Sequence, residues 1–122
     1  MIKLILLTPL ALIVLMPGQE IIVENTSQDI RYVIAEVTGY TSSEAETDST
    51  PNLTAWQTPT RDGVIACPRS IEFGTIVEID GKRYVCEDRM NLKYPDRWDI
   101  WFAEYDSAIE FGIQNKLIKI YE

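Results

Sequence analysis

The sequence contains no histidine, and this limits the chemistry that its side chains can perform. Nucleophile activation by a Ser-His-Asp or Cys-His arrangement is excluded, as are zinc sites built on histidine. Proton transfer must therefore use a carboxylate, a lysine, a tyrosine or a thiol. We expect neither a metal nor another cofactor.

Cys67 and Cys86 are the only cysteines in the chain. Two thiols without histidine make a poor metal site, and a nucleophilic thiol would lack its base. In an exported protein an even pair favours a disulfide, with two buried thiols as the alternative. A disulfide closing a loop of this size would stabilise the fold by roughly 3 kcal/mol.

The chain is acidic, with a formal net charge of −8. Proteins that bind nucleic acids need a basic surface that displaces counterions from the phosphates, so we expect no nucleic-acid partner. Bare anionic membrane surfaces are disfavoured for the same reason. The charge therefore favours a partner that is not a polyanion.

The N-terminal segment, residues 1–18, has one basic residue, Lys3, and an apolar run from Leu4 to Met16. The run is shorter than the roughly 20 residues of a transmembrane helix and matches the apolar region of a signal peptide. Because no clear small-x-small cleavage site follows, an uncleaved N-terminal membrane anchor is the alternative. Both interpretations predict an exported protein, secreted or anchored at the cell envelope.

The rest of the chain is predicted to be a linker or arm, residues 19–34, followed by one domain, residues 35–122. Hydrophobic residues make up 46% of the sequence, with three Trp, six Tyr and three Phe, which is ample for a packed core. We expect this domain to be a monomer.

Short apolar segments separated by glycine and proline turns predict a mainly β fold. Asp62-Gly63 and Asp80-Gly81 are turn pairs, and the second is expected to join a hairpin. One helix is predicted at residues 104–111, with Tyr105, Ala108 and Ile109 on its apolar face and a stop at Gly112. The strands are predicted at residues 35–40, 64–66, 75–79, 82–87, 100–102 and 117–121. The sequence thus predicts a small β-barrel with one short helix near the C-terminus.

Four sequence blocks, in this order, resemble the 3D domain: GYTSSEAETDSTPNLTA, GVIACPRSIEFGT, YVCEDRM and WDIWFAEYDSAIEFG. That family is named for three aspartates. Its fold is a six-stranded double-psi β-barrel related to the catalytic domain of membrane-bound lytic transglycosylase A and to stationary-phase muralytic proteins. The resemblance covers residues 35–122. It implies action on peptidoglycan glycan strands through a cleft lined by the aspartates.

The resemblance assigns Asp88 to the second family aspartate and Asp99 to the third. The first would lie just before Pro68, where this sequence has Cys67, and Met90 stands where glycine is usual. Two of the three aspartates are therefore present. The departure leaves two functions open, a peptidoglycan-cleaving enzyme and a non-catalytic glycan-binding or structural barrel.

A lytic transglycosylase can use a single carboxyl as acid and then as base, because the 6-hydroxyl of the sugar attacks its own anomeric carbon. The resemblance implies that Asp99 is this carboxyl and that Asp88 modulates it or binds substrate. Aromatic burial by flanking tryptophans and the charge of Asp88 would keep Asp99 protonated near neutral pH. The structural alternatives are a turn or an Arg89 pair for Asp88, and a pair with Arg97 or Arg83 for Asp99.

Three tryptophans could stack on sugar rings or fill the core: Trp56, Trp98 and Trp101. We expect Trp98 rather than Trp101 to be exposed, because Ile100 and Phe102 share the strand and residues of one parity must face inward.

The predicted substrate-binding set is Trp98, Thr54 and Asp48. Asp48 lies in the polar loop near Thr54 and could supply the missing carboxylate, with a solvated loop aspartate as the alternative.

Overall fold

The computed structural model describes residues 2–5, 14–24, 29–43 and 52–122; for residues 2–5 and 23–24 it describes the backbone alone. These residues form eight strands and one short helix. The elements are β1 Ile2–Ile5, β2 Glu20–Glu24, β3 Ile30–Tyr40, β4 Val64–Cys67, β5 Ile76–Ile79, β6 Lys82–Arg89, β7 Trp98–Trp101, α1 Tyr105–Phe111 and β8 Gln114–Tyr121. The mainly β prediction is confirmed.

Six of the strands close a mixed β-barrel in the order β3-β7-β4-β6-β5-β8, and β8 pairs back to β3. The β3–β7 and β4–β6 pairs are parallel, and the other barrel pairs are antiparallel. Closure leaves no unpaired edge within the ring, so every barrel strand is hydrogen-bonded to a neighbouring strand on both sides. The predicted six-stranded barrel with one short helix near the C-terminus is confirmed.

The hairpin predicted at Asp80-Gly81 joins β5 to β6, with Ile79 paired to Lys82. Asp80 has φ 52° and Gly81 has φ 78°. Two consecutive left-handed residues form the turn whose twist matches that of the flanking strands, and Asp and Gly tolerate this conformation best. Local residue chemistry therefore sets the register of this pair.

The strand predicted at residues 35–40 begins at Ile30, five residues earlier. Residues 30–34, predicted to belong to a linker, pair with β8, with Ile30 opposite Tyr121. Within the same predicted linker, β2 pairs antiparallel with β3 and lies outside the barrel, and β1 pairs with β2. Residues 19–34 show only a weak alternation of polar and β-branched residues. They form strands because they pair with segments that are distant in the sequence.

The barrel core is made of aliphatic and aromatic side chains from all six strands. Its largest fully buried members are Val37, Ile65, Val77, Ile118 and Ile120. The disulfide predicted between Cys67 and Cys86 is confirmed, and both residues are fully buried. It joins the neighbouring strands β4 and β6 across a Cα–Cα distance of 5.8 Å.

Helix α1 lies against β3 and ends at Gly112, whose φ is 64°. Its buried residue is Ala108, whereas Tyr105 and Ile109 are exposed, so the predicted apolar face is wrong for those two. The helix approaches the sheet through a glycine: a Cβ at Gly39 would lie 2.8 Å from the Phe102 ring. A side chain at position 39 would displace that ring and lift the helix.

Candidate carboxylate site

Asp88 and Asp99 flank the same residue of the barrel wall. Ala66 in β4 pairs with Asp88 in β6 on one side and with Asp99 in β7 on the other. The register of β4 against β6 shifts between Ile65 and Ala66, and this irregularity brings Asp88 opposite Ala66. Residues paired across a sheet lie on the same face, and two strand spacings correspond to about 9–10 Å between the two outer backbones. The structure thus brings the two predicted aspartates together on one face.

This face has its own small cluster of side chains, separate from the barrel core. Tyr40, Ala66 and Met90 pack together and Trp101 packs against them. In β3 and β7, Tyr40 pairs with Trp101 and Thr38 pairs with Asp99. We call this surface the aspartate face; it comprises Thr38, Tyr40, Ala66, Asp88, Met90, Asp99 and Trp101.

The carboxylate of Asp88 accepts three hydrogen bonds. The Tyr40 hydroxyl donates to Oδ2 at 2.8 Å, and the backbone N–H groups of Ala55 and Arg89 each donate to Oδ1 at 2.9 Å. The guanidinium of Arg89 points elsewhere, with its Nη1 2.9 Å from Cys67 Sγ and its Cζ 3.9 Å from the Phe73 ring centre. Asp88 is therefore a fixed acceptor that ties three segments together.

Asp99 lies on β7, between β3 and β4, and is half-buried. Its Oδ1 is inaccessible to solvent. The two arginines considered as its ion-pair partners bind other carboxylates: Arg97 pairs with Glu36 and Arg83 with Glu78. One oxygen of the Asp99 carboxyl is therefore turned away from solvent.

Tyr40 lies within electrostatic reach of both aspartates. Burial raises the pKa of its phenol far above the ordinary value of 10.0, and the nearby charges of Asp88 and Asp99 raise it further. The hydroxyl therefore keeps its proton and acts as a donor to Asp88 throughout the neutral range. No motif singled out this residue, although it stands in the first of the four sequence blocks.

This burial predicts a loss of stability at alkaline pH. A raised pKa in the folded state leaves the stability contribution intact below the unfolded value of 10.0 and removes it as the pH rises above that value. Between about pH 9 and about pH 11, the free energy of unfolding should fall more steeply for wild type than for Tyr40→Phe. Urea titrations at each pH measure it, and equal slopes would contradict this account of Tyr40.

Trp98 is 2% exposed and belongs to the barrel core, so the prediction that it is exposed for sugar stacking is wrong. It shares parity with Ile100, and both point inward. Trp101 has the opposite parity and lies on the aspartate face, where its Nε1 donates to Ser42 Oγ at 2.9 Å. Because side chains alternate between the two faces of a strand, Trp98 and Trp101 lie on opposite faces of β7.

Thr54, predicted to bind substrate, is buried within its own loop. Thr54 is 2% exposed, and its hydroxyl is bonded to the Thr58 hydroxyl at 2.6 Å and accepts the Thr58 N–H at 3.1 Å. It stabilises the turn of the loop at residues 52–60, which we call the tryptophan loop. Asp48, the other predicted loop residue, lies outside the described residues.

The tryptophan loop is bonded to strand β6 through contacts that the sequence does not predict. Its Ala55 N–H binds Asp88, and the N–H of Trp56 donates to the carbonyl of Glu87 at 3.1 Å. The side chain of Glu87 is buried and is paired with both terminal nitrogens of Arg61. These contacts hold the loop at the edge of the aspartate face.

Cys67 faces the core and forms the disulfide. Ala66, its neighbour, is the residue between the two aspartates. Within residues 2–5, 14–24, 29–43 and 52–122, no group of three potential ligands is placed to hold a metal ion. The aspartate face therefore presents two carboxylates and a phenol.

A cavity of about 540 Å³ lies elsewhere, between the barrel and the segment before β2. It is lined by Arg31 and Arg97 among others, and by neither Asp88 nor Asp99. Both arginines are paired with carboxylates, Arg31 with Glu20 and Glu122. Its volume alone does not make it the chemical centre of the molecule.

Comparisons with family models, curated proteins and solved structures found no match. The described residues form a small closed β-barrel that carries two aspartates on one outer face. In the part of the chain that the structure describes, no helix has the length and apolar character to cross a membrane.

Proposed function

We propose that this protein is a member of the 3D domain family that cleaves the O-glycosyl bonds of peptidoglycan as a lytic transglycosylase does. The observation that carries the proposal is the register that sets Asp88 and Asp99 on either side of Ala66. The four sequence blocks and the six-stranded barrel support it. The substrate is the glycan strand of the cell wall.

The reaction needs one proton donor that later accepts a proton. Asp99 gives its proton to the glycosidic oxygen as the bond to the anomeric carbon breaks, and the aglycone leaves as an alcohol. The 6-hydroxyl of the remaining sugar then attacks the anomeric carbon, and its proton passes to Asp99. The carboxyl is regenerated and the product is an anhydro sugar.

The two aspartates have different surroundings, and this assigns their roles. Both oxygens of Asp88 already accept hydrogen bonds from the protein, so it serves as a positioning residue. Asp99 lies half-buried on the same face, and the resemblance matches it to the third family aspartate. Asp99 is therefore the acid and base, and Asp88 holds Tyr40 and the tryptophan loop in place through its hydrogen bonds.

A non-catalytic, glycan-binding barrel is the second candidate. The observation that favours it is Cys67, which places a disulfide where the family has its first aspartate. A protein that had lost turnover could keep the fold and the aromatic surface. This candidate predicts binding to peptidoglycan without release of fragments.

Export is part of the same proposal. The disulfide supports it, because such bonds persist in oxidising compartments outside the cytoplasm. Residues 1–18 would act as the signal peptide or membrane anchor. Residue 1 and residues 6–13 of this segment lie outside the described residues, and residues 2–5 form strand β1, which pairs with β2.

Incubation of the protein with purified peptidoglycan distinguishes cleavage from binding without cleavage. We expect the protein to clear a peptidoglycan suspension and to release fragments that are lighter by one water than the products of hydrolysis. Mass spectrometry identifies them as anhydro sugars. Co-sedimentation without clearing would favour the binding module, and neither clearing nor co-sedimentation would overturn both candidates.

A further inference from the structure

Trp56 presents a flat aromatic surface next to the aspartate face. Its ring stacks on Phe73 with a centroid distance of 5.6 Å and an interplanar angle of 14°. The residue is nevertheless 47% exposed. Phe73 itself packs against the barrel core, so the pair forms a supported platform whose outer part is open to solvent.

The backbone fixes this platform relative to the two aspartates. Trp56 donates its N–H to the carbonyl of Glu87, and the preceding residue, Ala55, donates its N–H to Asp88. The loop is closed at its base by the bridge between Leu53 and Pro59. Trp56 is therefore held directly beside the site by bonds to two successive residues of β6.

We propose that Trp56 is the stacking platform for one pyranose ring of the glycan strand, at a subsite adjoining the bond that Asp99 cleaves. This inference rests on the proposed function. The C–H face of a sugar packs well on the face of an indole, whose large ring contributes apolar contact without requiring charge. A stacked ring at this position holds the strand across the aspartate face.

The charge of the protein agrees with such a subsite. The chain carries a formal net charge of −8, so it has little attraction for anionic groups along the glycan strand. Affinity must then come from apolar contact and hydrogen bonds to the sugars. Trp101, the other tryptophan on this side of the barrel, is less exposed and is bonded to Ser42, which leaves Trp56 as the more accessible face.

Binding of a soluble β-1,4-linked N-acetylglucosamine oligosaccharide tests the subsite independently of cleavage. Calorimetry should show binding to wild type and about tenfold weaker binding to Trp56→Leu, because leucine keeps apolar contact with Phe73 but has no aromatic face. Trp56→Tyr should retain most of the affinity. Tyr105→Ala removes an exposed aromatic from helix α1 and should bind like wild type.

The outcomes separate this inference from the proposed function. Equal affinities of wild type and a folded Trp56→Leu would overturn the stacking role while leaving cleavage at Asp99 standing. If the leucine variant fails to show a native thermal transition, the affinities of Trp56→Tyr and Trp56→Phe for the oligosaccharide are measured instead. Loss of binding in both of these aromatic variants would contradict an aromatic platform. A wild-type protein that neither binds the oligosaccharide nor clears peptidoglycan would overturn both.

Discussion

Replacement of Asp99 by asparagine should reduce the release of anhydro fragments from peptidoglycan by about 10²- to 10⁴-fold, the usual contribution of a general acid and base. The amide is close in shape to the carboxyl but cannot deliver the proton that the leaving oxygen requires. Fragment release measured by chromatography and thermal melts together test the prediction.

Two further variants serve as controls for Asp99→Asn. Asp106→Asn changes an exposed aspartate on helix α1 and should leave activity unchanged. Asp88→Asn should lower activity less than Asp99→Asn, since it disturbs the hydrogen bonds to Tyr40 and Ala55 without removing the acid. Unchanged clearing by Asp99→Asn would exclude the mechanism, whatever the other variants do.

Removal of the disulfide should have the largest effect on stability. A Cys67→Ala/Cys86→Ala protein should lose about 3 kcal/mol of unfolding free energy, because the bond restricts the unfolded chain by closing a loop between residues 19 positions apart. Both sulfurs are fully buried, so the loss of their packing adds to this effect. Urea unfolding of the oxidised wild type and the double variant gives the difference.

A reductant provides the matched control for this comparison. Dithiothreitol should lower the unfolding free energy of wild type towards that of the double variant and should leave the double variant unchanged. The disulfide joins β4 to β6, the strands that carry Ala66 and Asp88, so any activity left in the double variant should also be lower. A double variant as stable as wild type would contradict the assigned role.

The parts of the fold that depend on local chemistry could be predicted from the sequence. Asp80-Gly81 specifies its own turn, and Gly112 specifies the end of helix α1, because each needs a left-handed backbone. Strand β2 and the first half of β3 could not be predicted in the same way. Their residues become strands through pairing with segments such as β8, which lie far away in the sequence.

The candidate site could be predicted as a set of residue types but not as a surface. The sequence blocks indicate Asp88 and Asp99, and the register places them on either side of Ala66. Trp98 shares the parity of Ile100 in β7, and the same alternation turns both side chains into the barrel. Tyr40 and the tryptophan loop reach Asp88 only because separate segments converge on it, which no local pattern reveals.

Strand β3 links the N-terminal arm to the aspartate face as a single element. It pairs with β2 near Ile30 and with β7 at Tyr40, and its ten residue steps span about 33 Å of continuous ladder. A paired strand transmits a rotation at one end to the other, whereas a flexible tether would absorb it. Anything that holds strand β2 in place would therefore also set the direction in which the aspartate face points.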